Sequence, residues 1–186
     1  KGIAPEASIV SLKVLDSDGS GNVSDILAAM QWICDNHKKY NIRVVNLSLG
    51  MTYDGSLRID PLHLGVGALY KRGITVVAAG GNSGPAAKTI SSPGNSPYVL
   101  TAGCCGTSGV SEFSSRGPAG TYMKPDLVAY GEDICSGSRQ NRHSHSKRHI
   151  NVRPCCIWRG RMSLQRISAA YRISGQKDTY VCNNSF

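Results

Sequence analysis

The chain has 186 residues, of which 40% are hydrophobic and 18% charged, and this composition is typical of one globular domain with a tail rather than of a disordered protein. No apolar run is long enough to cross a membrane, and the start lacks the apolar stretch of a signal peptide. The sequence also begins without an initiator methionine, so we expect an internal piece of a longer protein. Residues 1–136 carry 11 basic and 11 acidic side chains, so the net charge of +9 lies entirely in residues 137–186.

Strand and helix patterns alternate along the first 136 residues. Residues 9–15 are apolar and β-branched, which predicts a strand, and the apolar stripe after Ser24 predicts a helix with Ser24 as its N-cap, ending near Asn36. A strand at 42–49, a helix at 61–71 that ends before Gly73, and strands at 74–79 and 98–102 follow. This order, with strands apolar on both faces, predicts an α/β fold with a parallel sheet.

In an open parallel sheet, ligands bind beyond the carboxyl ends of the strands. Residues 16–21, 48–50 and 80–85 follow predicted strands directly, so these three segments are where a functional site is expected.

Seven short motifs, spread over residues 2–136, resemble the subtilisin-like serine proteases in both sequence and order. They are Gly-Ile-Ala-Pro-Glu-Ala at 2–7, Lys-Val-Leu with Gly-Ser-Gly at 13–21, Val-Asn-Leu-Ser-Leu-Gly at 45–50, Val-Val-Ala-Ala-Gly-Gly-Asn-Ser-Gly-Pro at 76–85, Ser-Pro-Gly at 92–94, Phe-Ser-Ser-Arg-Gly-Pro at 113–118 and Lys-Pro-Asp-Leu-Val-Ala at 124–129. The resemblance implies a partial doubly wound parallel sheet flanked by helices, a partial catalytic domain at 1–136, and an irregular tail at 137–186.

The resemblance also implies roles for individual residues. Asn82 is expected to donate its side-chain amide to the oxyanion that forms during peptide hydrolysis. Two segments are expected to wall the substrate cleft, and their residues are Ser48, Leu49 and Gly50, and Ala78, Ala79 and Gly80. Gly94 is expected at the rim of the first specificity pocket, after a cis peptide bond between Ser92 and Pro93. Gly80 stands where the family more usually has alanine.

The partner implied by this resemblance is a polypeptide in the extended conformation, bound by a monomer, with no nucleic acid and no membrane. No cofactor follows from the residues themselves. Calcium is implied by the resemblance alone, and no metal site can be assigned.

The sequence contains no catalytic triad that can be assigned. A serine protease of this type needs a nucleophilic serine, a histidine base and an aspartate that orients it. We interpret Asp16 and Asp18 as loop residues, and His37 and His63 as histidines on or beside helices. The nucleophile motif expected after Ser136 is missing. The chain as written is therefore expected to be inactive, and a non-catalytic peptide-binding module is the alternative.

The basic tail is explained by a shifted reading frame. When the codons for residues 147–155 are read one nucleotide later, they can encode Ser-Gly-Thr-Ser-Met-Ser-Ala-Pro, which is the missing nucleophile motif. At several positions of this motif the shifted codon can encode only one or two amino acids, so the match is informative. We therefore predict an out-of-frame translation that begins between about Ser136 and Lys147.

Two functional interpretations of the tail remain open. Its arginines, with Trp158, Tyr171 and Tyr180 as stacking residues, could form a nucleic-acid-binding arm. A metal could be held by a second group of residues, which comprises His143, His145, His149, Cys155 and Cys156, although their spacing fits no standard zinc site.

The number and spacing of the seven cysteines give an indication of the cellular compartment. Their number is odd and they show no disulfide-type spacing, which favours an intracellular protein, whereas members of the family are often secreted. The compartment is therefore left open.

Overall fold

The computed structural model describes residues 7–132, 134–137, 143–146 and 179–182. Its elements are, in chain order, β1 (Ser8–Ser11), α1 (Val23–Asn36), β2 (Ile42–Leu47), a 3₁₀ turn (Leu57–Ile59), α2 (Pro61–Tyr70), β3 (Thr75–Ala79), β4 (Leu100–Gly106), β5 (Gly109–Val110), β6 (Leu127–Tyr130), β7 (Ile134–Gly137), β8 (His143–Ser146) and β9 (Thr179–Cys182).

A mainly parallel sheet organises these elements. Its strand order is β1-β9-β2-β3-β4-β5, and β6 also pairs with β4. All of its pairings are parallel except that between β4 and β5. Strands β7 and β8 form a separate antiparallel pair. The predicted parallel sheet flanked by helices is confirmed.

The core lies where α1 and α2 pack on β2 and β3. Their buried side chains form one hydrophobic cluster, in which Val45 of β2 and Val66 and Leu69 of α2 are fully buried. Burying a side chain of this size stabilises the fold by about 1.5–3 kcal/mol, so this cluster fixes the positions of both strands and their carboxyl ends.

The two helices begin differently. Helix α2 has Asp60 at its N-cap, and the Asp60 carboxylate accepts hydrogen bonds from the backbone N–H groups of Leu62 (2.9 Å) and His63 (3.3 Å). Helix α1 has Asn22 at its N-cap, so the prediction of Ser24 as the cap is wrong and Ser24 lies in the first turn.

The predicted strands and helices exist, but several of their boundaries differ. Strand β1 ends at Ser11 rather than at residue 15, and β4 begins at Leu100 and continues to Gly106. Strands β5 to β9 were not predicted. The described residues contain no helix that is both long and apolar enough to span a membrane. Of the tail, the structure describes residue 137, β8 and β9, and its other residues, which include residues 138–142 and 147 of the proposed shift region, lie outside the described residues.

Candidate active site

The two predicted cleft segments lie side by side at one edge of the sheet. Strands β2 and β3 are parallel neighbours, with Leu47 opposite Ala78. Residues 48–50 continue from the end of β2, and Gly80 follows β3. The side-chain amide of Asn46 donates a 2.9 Å hydrogen bond to Ser48 Oγ, which orients the first residue beyond β2. The structure therefore brings together the 48–50 and 78–80 segments.

Ser91 lies between these segments and joins them. Its backbone N–H donates to the Gly80 carbonyl at 2.9 Å, and its Oγ donates to the same carbonyl at 3.2 Å. A β-carbon on Gly50 would lie only 2.5 Å from Ser91 Oγ. Gly50 therefore permits a close approach that other residues would block.

Gly94, which is predicted to lie at the pocket rim, is close to both segments. A β-carbon on Gly94 would lie 2.6 Å from the Ala79 carbonyl oxygen and 3.1 Å from that of Ser91. Met51 and Ser92 exchange two backbone hydrogen bonds of 2.9 Å, which tie the residues after Gly50 to the loop that carries Gly94. The Ser92–Pro93 peptide bond is cis, as predicted.

A chain of polar groups, of which Thr101 and Lys124 are buried and Asp126 is exposed, holds the Gly94 carbonyl. Thr101 Oγ1 donates to that carbonyl at 2.5 Å, and the Thr101 backbone N–H donates to the Asp126 carboxylate at 2.7 Å. The same carboxylate accepts from the buried Lys124 ammonium at 2.6 Å, and Lys124 also donates to the Val99 carbonyl at 2.8 Å. Charge-assisted bonds of this length are strong, so this chain of bonds fixes the position of Thr101 and, through it, of the Gly94 carbonyl.

Asn82 is exposed and lies in the loop that leaves β3. The Gly80 N–H bonds to the Ala102 carbonyl at 2.9 Å, and the Gly84 N–H bonds to the Phe113 carbonyl at 3.0 Å, so both ends of the loop are attached to neighbouring segments. Gly81 has a φ of +112°, a backbone conformation that favours glycine. The loop thus presents Asn82 at the same edge of the sheet as the cleft segments.

The residues that sequence reasoning separated from catalysis are engaged elsewhere. The Asp16 carboxylate accepts from the backbone N–H groups of Asp18 and Ser20, both at 2.9 Å, and so closes its own loop. His37 Nδ1 lies 2.8 Å from the Cys34 carbonyl oxygen at the end of α1. The ring of His63 lies against that of Tyr98, with 5.2 Å between the centroids.

Side chains that could bind a metal are dispersed. In the described part of the chain, no three histidine, cysteine, aspartate or glutamate side chains lie close enough to share a metal ion. No step is therefore derived through calcium, which remains a prediction from the resemblance. The tail group of His143, His145, His149, Cys155 and Cys156 lies outside the described side chains.

Sequence reasoning missed Ser91, Thr101 and Ser115 as parts of this site. Two of them could have been noticed, since Ser91 directly precedes the Ser-Pro-Gly motif and Ser115 lies inside Phe-Ser-Ser-Arg-Gly-Pro. Thr101 belongs to a predicted strand and carries no local signal. Its role depends on Asp126, which is 25 residues away in sequence.

Comparisons with known proteins converge on one family. The model of the subtilase family matches residues 1–160, a span that extends beyond Ser136. Serine protease AprX of Bacillus subtilis (strain 168) is 39% identical over 153 residues, which cover 73% of this chain and 34% of AprX. Subtilisin of Bacillus sp. (strain TA39) is 37% identical over 123 residues, which cover 62% of this chain and 28% of that protein.

Two solved structures are similar in fold. Sphericase aligns with a TM-score of 0.63 and 27% identity, and S41 psychrophilic protease aligns with a TM-score of 0.61 and 30% identity. Each alignment covers 73% of this chain and 47% of the solved chain. The chain thus spans less than half the length of each of these four relatives.

Proposed function

Because the chain belongs to the subtilase family of serine proteases, we propose that its described residues form the substrate cleft and oxyanion-binding loop of a serine endopeptidase domain. The single observation that carries this proposal is the convergence of the 48–50 and 78–80 segments, Gly94 and the Asn82 loop at one edge of the sheet, with Ser91 between the first three.

The proposed substrate is a polypeptide in the extended conformation. An extended peptide can bind beside exposed backbone by adding as a further strand, and pockets for alternate side chains then give specificity. Residues 48–50 continue β2 beyond its pairing with β3 and are the segment proposed to lie beside such a peptide. Ala78 and Ala79 belong to β3, which pairs with β2 and β4, and the backbone of Gly80 bonds to Ala102 and Ser91, so the 78–80 segment is proposed to shape the cleft rather than to pair with the peptide. A β-carbon on Gly94 would lie 2.6 Å from the Ala79 carbonyl oxygen, so the glycine lets the proposed pocket rim pack directly against the 78–80 segment.

The proposed role of Asn82 follows from the charge that develops during hydrolysis. Attack on a peptide carbonyl places negative charge on its oxygen, and a fixed amide donor aimed at that oxygen stabilises the transition state. In a subtilisin, another member of this family, loss of one such asparagine donor costs about 10²–10³ in kcat. The exposed position of Asn82 in a loop attached at both ends supports this role.

Hydrolysis itself needs an activated nucleophile, and no serine of this chain lies in the family's nucleophile motif. We therefore propose that the chain as written binds peptides without cleaving them. The missing nucleophile motif also favours the second candidate function, a non-catalytic peptide-binding module.

The test combines labelling with a cleavage assay. The purified full chain is incubated with a serine-directed fluorophosphonate and with a mixture of unstructured peptides, and an active subtilisin serves as the positive control. We expect no labelled serine and no cleavage. Stoichiometric labelling of one serine in this chain would contradict the proposal that it lacks a nucleophile.

A further inference from the structure

The backbone on both sides of Asn82 is held by one distant residue, Ser115. The Ser115 N–H donates a 3.1 Å hydrogen bond to the carbonyl of Gly81, which precedes Asn82. The Ser115 Oγ accepts a 3.0 Å hydrogen bond from the N–H of Ser83, which follows Asn82. These two bonds bracket Asn82, although Ser115 lies more than 30 residues away in sequence.

Ser115 is itself firmly placed. Only 1% of its surface is exposed, and the same holds for its neighbour Ser114. The Ser114 Oγ accepts a 2.9 Å hydrogen bond from the backbone N–H of Cys104 in β4, and the Ser114 N–H donates to the Ser111 carbonyl at 3.0 Å. Ser114 and Ser115 therefore connect the Asn82 loop to β4 of the sheet through hydrogen bonds.

The loop also passes unusually close to this serine. A β-carbon on Gly81 would lie 2.8 Å from Ser115 Oγ and 2.9 Å from Ser91 Oγ. The φ angle of Gly81 is also positive. The loop backbone thus rests directly on two hydroxyl groups, one of which also belongs to the cleft. The backbone from which the Asn82 side chain projects is therefore held in place on both sides.

We infer that Ser115 is a positioning residue that holds the backbone at Asn82 in the place from which its side-chain amide can reach the oxyanion. This inference rests on the proposed role of Asn82. Donors that stabilise a developing charge must be held within about 0.5 Å of the productive geometry by supporting hydrogen bonds. Asn82 is exposed, and the two bonds to Ser115 supply that support through the backbone.

The first experiment needs no ligand. Amide hydrogen exchange is measured by NMR on the ¹⁵N-labelled full chain and on the variants Ser115→Ala and Ser111→Ala. Ser111 is the matched control because it is also buried and lies in the same segment, but its hydroxyl bonds to Glu132 rather than to the Asn82 loop. We expect Ser115→Ala to accelerate exchange of the Ser83 amide about tenfold, which corresponds to the upper end of the net free energy of one hydrogen bond. Ser111→Ala should leave this exchange rate unchanged.

The second experiment reports on Asn82 directly. The side-chain amide resonances of Asn82 are followed while a peptide with a free C-terminal carboxylate, or the same peptide with an amidated C-terminus, is added. The carboxylate imitates the charged oxygen of the transition state. We expect a carboxylate-dependent shift at Asn82 in the parent chain and in Ser111→Ala, and at least a threefold smaller shift in Ser115→Ala. Ser115→Thr keeps the hydroxyl and should restore the shift.

The outcomes separate this inference from the proposed function. Rapid exchange of the Ser83 amide in the parent chain would overturn the inference without any variant. An Asn82 shift in the parent chain that persists in Ser115→Ala would overturn the inference and leave the proposed function standing. A protected Ser83 amide in a parent chain whose Asn82 gives no carboxylate-dependent shift would contradict the oxyanion role, and with it the function assigned here to Ser115.

Discussion

At the scale of single residues, the glycines of the proposed cleft differ in whether a side chain would fit at their positions. A β-carbon on Gly80 would meet its nearest neighbours at 3.4–3.6 Å, which is ordinary van der Waals contact. A β-carbon on Gly94 would lie 2.6 Å from a backbone oxygen that cannot easily move. Gly94 is therefore required by the space around it, whereas Gly80 is not.

This difference predicts opposite effects for two alanine substitutions. Gly80→Ala should stabilise the chain by about 0.4–1 kcal/mol, because alanine lowers the conformational entropy of the unfolded state and fits the folded one. Gly94→Ala should destabilise it by about 1–3 kcal/mol through overpacking against Ala79. Urea unfolding of both variants measures the free energies. Equal destabilisation by the two substitutions would show that the cleft backbone is not placed as described.

At the scale of elements, α2 begins at a buried carboxylate. Asp60 is fully buried and satisfies two N–H groups of the first turn. The helix continues into the core through Leu62, Val66 and Leu69, so its start sets its position against β3. Ser56 caps only the exposed 3₁₀ turn, through a 3.3 Å bond from the Arg58 N–H.

Loss of the Asp60 cap should therefore cost far more than loss of the Ser56 cap. We expect Asp60→Ala to lower the free energy of unfolding by about 1–2 kcal/mol, because the N–H groups of Leu62 and His63 lose their acceptor. Ser56→Ala should change it by less than about 0.5 kcal/mol, as is usual for exposed positions. Thermal and urea unfolding compare the two variants. A smaller loss for Asp60→Ala than for Ser56→Ala would contradict the cap assigned to α2.

The elements also indicate what a single sequence can predict. The periodic apolar residues of α1 and α2 and the apolar runs of β2 and β3 were sufficient to locate these elements, because burial follows local pattern there. The seven motifs indicated a family that the comparisons confirm. Strand β9 was not predicted, since its placement between β1 and β2 depends on pairing with residues far away in sequence.

The candidate site could likewise be predicted from the sequence only in part. Gly50, Gly80 and Gly94 follow or flank predicted strands, so their convergence could be expected from a parallel sheet. The hydrogen bonds of Ser91, Thr101 and Ser115 could not, because each joins segments brought together only by the fold. The catalytic roles assigned to these positions remain predictions.

At the scale of the whole molecule, two buried thiols couple stability to pH. Burial raises the pKa of the Cys34 thiol above its ordinary value of 9.0, and the nearby Asp35 charge adds to this effect against the opposing charge of Arg72. Burial also raises the pKa of the Cys104 thiol, against the opposing hydrogen bond from Ser111. Both thiols are free cysteines in the folded protein.

A pKa raised by folding means that the stability contribution is present below the unfolded value and is lost at higher pH. We therefore expect the free energy of unfolding to fall as the pH rises above about 9.

Iodoacetamide at neutral pH should modify the half-buried Cys105 before Cys34 and Cys104, because the buried thiols stay protonated and inaccessible. Peptide-level mass spectrometry resolves the sites. Faster modification of Cys34 or Cys104 than of Cys105 would contradict their burial.

The central claim is that the chain binds an extended polypeptide at the edge formed by residues 48–50, residues 78–80 and Gly94. The most direct test is an NMR titration of the ¹⁵N-labelled full chain with an unstructured peptide, with assigned backbone amides. We predict saturable shifts concentrated on these residues, and weaker binding by Gly94→Ala than by Gly80→Ala. Saturable shifts confined to other parts of the chain, or no shifts at millimolar peptide, would contradict the claim.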